Sequence, residues 1–205
     1  MTSSTDAAPA ARRGRPGYDR DGVLTVAVQL FNEQGYDATS VADLAQRLGL
    51  SKSALYHHFA SKEELLAIAL DQALGGLEAV LEESGATTGR AYDRLRHVLR
   101  GAADVLVAEL PSVTLLLRVR GNSAVEQDAL ERRRLFDQRV TRLVADAQRE
   151  GDVRGDVDAG VVARLIFGMI NSVVEWYRPG GAVDGGRLGH DILTVALEGL
   201  SADHT

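Results

Sequence analysis

Cysteine is absent from the 205 residues. Its absence removes disulfide staples, thiolate metal ligands and cysteine nucleophiles, and it leaves the redox compartment unmarked. No apolar run reaches the roughly 18 residues that span a bilayer. The N-terminus lacks the apolar core of a signal peptide. These absences lead to the expectation of a cytoplasmic protein that uses no membrane. No segment alternates with a period of two between hairpin turns, so no sheet is expected. No internal repeat is visible.

Chemical motifs are missing as well. The chain has no metal-spaced His/Asp/Glu set, no glycine-rich phosphate loop and no Ser–His arrangement placed by spacing. His97 and His190 stand alone. His57 and His58 are adjacent, and neighbours on a helix point about 100° apart, so they cannot easily share an ion. No catalytic residue, metal or cofactor is expected, and an enzyme is not the reading.

What the chain does contain is apolar material for a core: 45% hydrophobic and 25% charged residues, an ordinary globular balance. The net charge of −6 is unevenly spread. Residues 1–62 hold seven Lys/Arg against six Asp/Glu, whereas residues 63–205 hold sixteen against twenty-three. Arg12, Arg13, Arg15 and Arg20 crowd a short stretch opposed only by Asp19. Local charge, not the total, decides where phosphates are attracted.

Residues 1–17 lack hydrophobic periodicity and read as a disordered basic arm. From about Tyr18 the pattern is helical. Leu24, Ala27, Leu30 and Phe31 recur at three and four residues, and Gly35 ends that helix. Ser40 is a natural N-cap for a helix whose buried stripe is Val41, Leu44, Ala45 and Leu48 and which Gly49 closes. Ser51 caps a second short helix running from Lys52 to Phe59. Ser61-Lys-Glu-Glu64 has the spacing of a capping box and opens a long helix that ends before Gly85. Ser123-Ala-Val-Glu126 is another. Further helices are expected near 89–109, 112–120, 124–150, 158–178 and 186–200. The fold class is therefore all-α, with about nine helices.

Two short helices joined by a tight glycine turn form a helix-turn-helix, whose second helix enters the major groove of DNA. Lys52, Ser53, Tyr56, His57 and His58 lie on or near the outer face of the second helix. They offer donors suited to phosphates and base edges. Thr39 and Ser40 lie at the start of the preceding helix, where free amides favour phosphate.

The stretch from Gly35 to Leu65, with Thr39-Ser-Val, Asp43-Leu-Ala, Gly49-Leu-Ser-Lys, Leu55-Tyr-His-His-Phe and Ser61-Lys-Glu in order, closely resembles the N-terminal domain of TetR-family repressors. The resemblance covers residues 20–78. It implies a three-helix DNA-binding domain over 18–78 and a ligand-binding and dimerisation domain over 79–205. It also implies a homodimer on an operator in double-stranded DNA, with repression relieved by a small molecule. Carried over by position, Thr39, Lys52, Tyr56, His57 and Lys62 would contact phosphate, with Ser53 near the bases; Ser40 and Ser51, at the starts of the two helices, complete the expected DNA contacts.

The C-terminal half is less legible. The segment 161–177 is apolar around most of its circumference, which suits burial on several sides, partly against a second subunit. The last helix, with Leu188, Ile192, Val195, Ala196 and Leu200, is a natural partner in a four-helix interface. Polar residues inside apolar stretches have two readings. They bond within the chain, or Phe167, Asn171, Glu175 and Trp176 line an effector pocket with Arg118 as a positive handle. Leu117-Arg-Val-Arg-Gly-Asn122 and Glu175-Trp-Tyr-Arg-Pro-Gly180 resemble the C-terminal domains of catabolic repressors, which implies an acyl-CoA or hydrophobic carboxylate effector.

Overall fold

The computed structural model describes residues 19–199. The expected basic arm, Tyr18 and Leu200 lie outside them. Among the described residues there is no strand. Eleven α-helical segments follow one another, nine of them seven or more residues long, and a π-helical turn closes the series.

Local chemistry sets the first boundaries. Helix α1 spans Arg20–Gln34, with the Asp19 carboxylate accepting from the Gly22 amide at 2.8 Å. It buries Val23, Leu24, Ala27, Val28, Leu30 and Phe31. Helix α2, Val41–Leu48, opens with a reciprocal capping box. The Asp43 amide donates to Ser40 Oγ, and the Ser40 amide donates to Asp43 Oδ2 at 2.8 Å. It closes at Gly49, whose φ of 65° is left-handed and costs a residue without Cβ little. Helix α3, Lys52–His58, is capped by Ser51 Oγ, which accepts from the Ala54 amide.

Helix α4, Lys62–Glu82, is shared between the two ends of the molecule. The expected domain boundary at residue 78 falls inside it. Its first half buries Leu65, Leu66 and Ala69 and packs on α1. Its second half packs against α6 (Ala91–Ala108), α7 (Leu110–Arg118) and α8 (Ala124–Glu150), after a short α5 (Ser84–Thr87). Gly75 and Gly76 lie early in the second half. A Cβ at Gly76 would stand 3.0 Å from a Val105 methyl carbon, so glycine there permits close packing on α6. A Cβ at Gly75 would meet nothing within 4 Å.

Two expected capping boxes form only by half. Ser61 and Ser123 accept from the amides of Glu64 and Glu126. The Glu64 carboxylate turns instead to the Ala60 amide and to Arg20. The Glu126 carboxylate is 3% exposed. Its Oε2 accepts from three consecutive amides, Arg120, Gly121 and Asn122, at 2.7–3.0 Å, and so organises the α7–α8 turn. Arg132 ties α8 to α4 through both oxygens of Glu78 at 2.8 Å and through Asp71 at 3.0 Å.

The expected helix 158–178 is two. Helix α9 covers Ala159–Asn171 and α10 covers Val173–Trp176, with the break at Ser172, whose hydroxyl donates to the Met169 carbonyl. The expected 186–200 helix is α11, Gly185–Leu193, followed by the π turn Thr194–Glu198. The stretch Ala159–Trp176 does have the length and mean hydropathy, 1.3, to cross a membrane, contrary to the expectation that no run reaches that length. It nevertheless contains Arg164 and Glu175, and its exposed apolar residues form a stripe rather than a full girdle.

Two substitutions test these constraints. Glu126→Ala leaves three backbone donors without their acceptor and lowers unfolding stability by about 2–3 kcal/mol. An unchanged urea midpoint would exclude that role. Gly75→Ala adds a methyl into open space inside a helix and raises stability by roughly 0.5–1 kcal/mol. A lowered melting temperature would contradict it.

Candidate nucleic-acid interface and effector cavity

Leu55 and Phe59, four residues apart, are buried and pin α3 to the rest of the N-terminal unit. That orientation turns Lys52, Ser53, Tyr56 and His57 outward. Tyr56 is 52% exposed although it is aromatic. None of these four side chains has a hydrogen-bond partner among the described residues, so their polar groups are available to a ligand.

The other four expected contacts are engaged inside the chain. Thr39 is 1% exposed, and its hydroxyl donates to the Gly35 carbonyl at 2.8 Å. Ser40 and Ser51 serve as caps, and the Ser40 hydroxyl donates to Asp43. Those bonds hold the Asp43 carboxyl below the usual carboxylate range. The Lys62 ammonium donates to the carbonyls of Tyr36 and Thr39, both at 2.8 Å, and lies 4.1 Å from the centre of the Tyr36 ring. It braces the α1–α2 loop. Burial, with help from Glu63, Asp37 and Glu126, pushes the Tyr36 phenol up to about 12. Tyr36 packs edge-on against Phe31.

The two ends of α7 grip one residue of α1. The Asn32 side-chain amide donates to the Pro111 carbonyl at 2.8 Å, and Arg118 donates to the Asn32 carbonyl at 2.7 Å. Asn122, just past α7, donates to Asp37 at 2.9 Å. Arg118 is therefore engaged at the seam between α7 and α1 and does not line the cavity described next. A run of leucines preceding an arginine does not reveal which way the arginine turns.

The cavity lies on the far side of α7. An inner chamber of about 40 Å³ is walled by apolar side chains from α4, α6, α7, α8 and α9, among them Leu77, Leu106, Val113, Leu116, Phe136 and Ile170. Phe136 and Phe167 meet edge to face, 5.6 Å between ring centres. Beside it is a polar vestibule of about 410 Å³ between α8 and α9. Phe167, Asn171, Arg133 and Asp137 border both spaces. Of the five expected pocket residues, Phe167 and Asn171 are placed at the cavity. Glu175 and Trp176 are not: the break at Ser172 carries them past it, and both are exposed.

Three vestibule residues, Arg133, Asp137 and Arg164, escape the sequence reading. A signal for them exists. Arg133, Asp137 and Thr141 recur every four residues on α8. Gly160, Arg164 and Gly168 do the same on α9, facing them. Burial raises the Asp137 carboxyl, while Arg133 and Arg164 pull it down.

Comparisons agree with this geometry. The family model described as bacterial regulatory proteins, tetR family, matches residues 23–68, and that of the tetracyclin repressor-like C-terminal domain matches residues 88–200. The HTH-type transcriptional repressor KstR2 of Mycobacterium tuberculosis is 28% identical over 198 residues, covering 93% of this chain and 96% of its own length. The crystal structure of SCO3833, a TetR-family member from Streptomyces coelicolor, is 51% identical with a TM-score of 0.83, over 88% of this chain and 91% of that one. AibR, solved in complex with isovaleryl coenzyme A and operator DNA, shares the fold at 21% identity and a TM-score of 0.71, over 87% of this chain and 97% of its own. With both halves matched and the helix-turn-helix in place, the chain belongs to the TetR family of bacterial transcriptional regulators.

Proposed function

We propose that the protein is a cytoplasmic homodimeric repressor that occupies a palindromic operator and leaves it when a small hydrophobic or acyl-CoA effector binds. The observation that carries this reading is the outward face of α3, where Lys52, Ser53, Tyr56 and His57 stand unengaged on a helix fixed from behind. In this reading Lys52, Tyr56 and His57 meet phosphates and Ser53 lies near base edges. Thr39, Ser40, Ser51 and Lys62 shape the reader from within and support those contacts.

The dimer reading rests on α9. Val161, Leu165 and Met169 lie four residues apart on one stripe, and Leu165 is 66% exposed. An apolar stripe of this kind suits a second copy, with α11 as the other helix of a four-helix interface. Two readers then face half-sites about 34–36 Å apart.

Release follows from differential binding: an effector shifts the protein only if it binds the two states unequally. Walls of the inner chamber belong to α4 and α7, and both also touch α1. Among TetR-fold proteins AibR has been solved with an acyl-CoA and operator DNA, so the fold accommodates both. The two adjoining spaces favour a sensor over a DNA binder with no ligand, whose core would be filled.

The reader is tested on duplexes selected by the purified protein from a random library. Tyr56→Ala weakens binding several-fold and leaves the dimer intact. Lys52→Ala flattens the slope of log affinity against log salt by about one, the mark of one lost phosphate contact. Unchanged affinity and slope in both variants would refute the reader assignment. For the interface, Leu165→Glu yields monomers by light scattering, with helicity retained and duplex binding lost. A dimer that persists would move the interface elsewhere.

A further inference from the structure

The two spaces beside α7 differ in chemistry and size, and together they specify a ligand. The inner chamber is apolar and holds about 40 Å³. One water-sized group needs about 10–15 Å³ by this measure, so the chamber accepts roughly three or four heavy atoms. Its walls include Leu106, Leu116 and Phe136, each almost wholly buried. A long chain or a fused ring system would overpack them.

The vestibule is about ten times larger and polar. Arg133 and Arg164 reach it from opposite helices, with Asp137 between them. Neither guanidinium makes an ion pair or hydrogen bond among the described residues. Their neighbour Arg132, by contrast, is fully engaged with Glu78 and Asp71. Two guanidiniums against one carboxyl leave a net positive mouth, and planar guanidinium forks match carboxylate and phosphate. Gly168 keeps the α9 side open, since a Cβ there would meet nothing within 4 Å. Asn171 stands on the border, its amide unengaged among the described residues.

We propose that the effector is a short-chain acyl compound with an anionic head. Beyond its carbonyl, a chain of about three or four carbons fills the inner chamber. Its carbonyl meets the Asn171 amide, and its anion lies between Arg133 and Arg164. This assignment rests on the cavity being the effector site. A free short carboxylic acid and its coenzyme A thioester share this chemistry.

Calorimetric titration of the full chain tests it. The probes are propionyl-, butyryl-, isovaleryl-, octanoyl- and palmitoyl-CoA, free coenzyme A, butyrate and isovalerate. The expected affinity peaks at about four or five acyl carbons and falls at least about tenfold by octanoyl. Arg133→Gln and Arg164→Gln each weaken the preferred probe about tenfold, with melting curves preserved. Phe136→Leu moves the optimum to longer chains. Thioesters binding where acids do not, or the reverse, supports the proposal and identifies the source of the anion. A peak at octanoyl or beyond, or free coenzyme A binding as well as its thioesters, overturns the short-acyl assignment while the cavity remains an effector site. If no probe binds and none releases the selected duplex, both this assignment and the acyl-CoA effector reading fall.

Discussion

Helix α4 must be buried at both of its ends by different partners, and the rest of the structure is arranged around that demand. Leu65, Leu66, Ala69, Leu70, Ala73 and Leu74 are almost wholly buried on one rod. The first of these hold α1 and so the reader, while later positions hold the helices around the cavity. Each such leucine contributes about 2 kcal/mol by leaving water. Neither end can therefore detach at low cost. The reader cannot drift independently of the sensor, and the buried side chains form one cluster running from Val23 to Leu193.

Polar contacts refine what that burial imposes. Lys62 at the start of α4 fastens the α1–α2 loop, and Arg132 fastens α8 further along the same helix. Glu126 gathers three amides at the turn behind α7, and α7 in turn holds Asn32 at both ends. Two groups of unengaged polar side chains stand on the surfaces described above, the outer face of α3 and the vestibule between α8 and α9. Unsatisfied polar groups of this kind are suited to a ligand that brings its own charge.

The helix-turn-helix was legible because its determinants are local. Ser40, Gly49, Ser51, Leu55 and Phe59 act within a turn or two of themselves, so spacing alone reveals them. Roles that depend on distant partners were not. Ser61 and Ser123 cap as their spacing implies, but Glu64 and Glu126 answer to tertiary neighbours. Lys62 and Arg118 carry charge in suggestive places, yet each reaches back to a carbonyl of the N-terminal unit. The end of α9 is marked by neither proline nor glycine, so spacing does not reveal that Glu175 and Trp176 lie beyond a break from Asn171. Arg133 and Arg164 gain meaning only when α8 and α9 are laid side by side.

Gly75 and Gly76 interrupt α4 within the stretch that α8 covers, since Arg132 reaches Asp71 before them and Glu78 after them, and only Gly76 has a packing reason to be glycine. Glycine lowers helix preference by about 1 kcal/mol relative to alanine. The helix by itself is weakest at that pair, and the Arg132 bridge from Asp71 to Glu78 splints it. Lys62 lies about 20 Å from that point along the helix axis. A bend of about 10° at Gly75 would sweep the start of α4, and the α1–α2 loop fastened to it, through about 3 Å. Any change of angle at this pair would be multiplied by the length of the rod before it reached that loop.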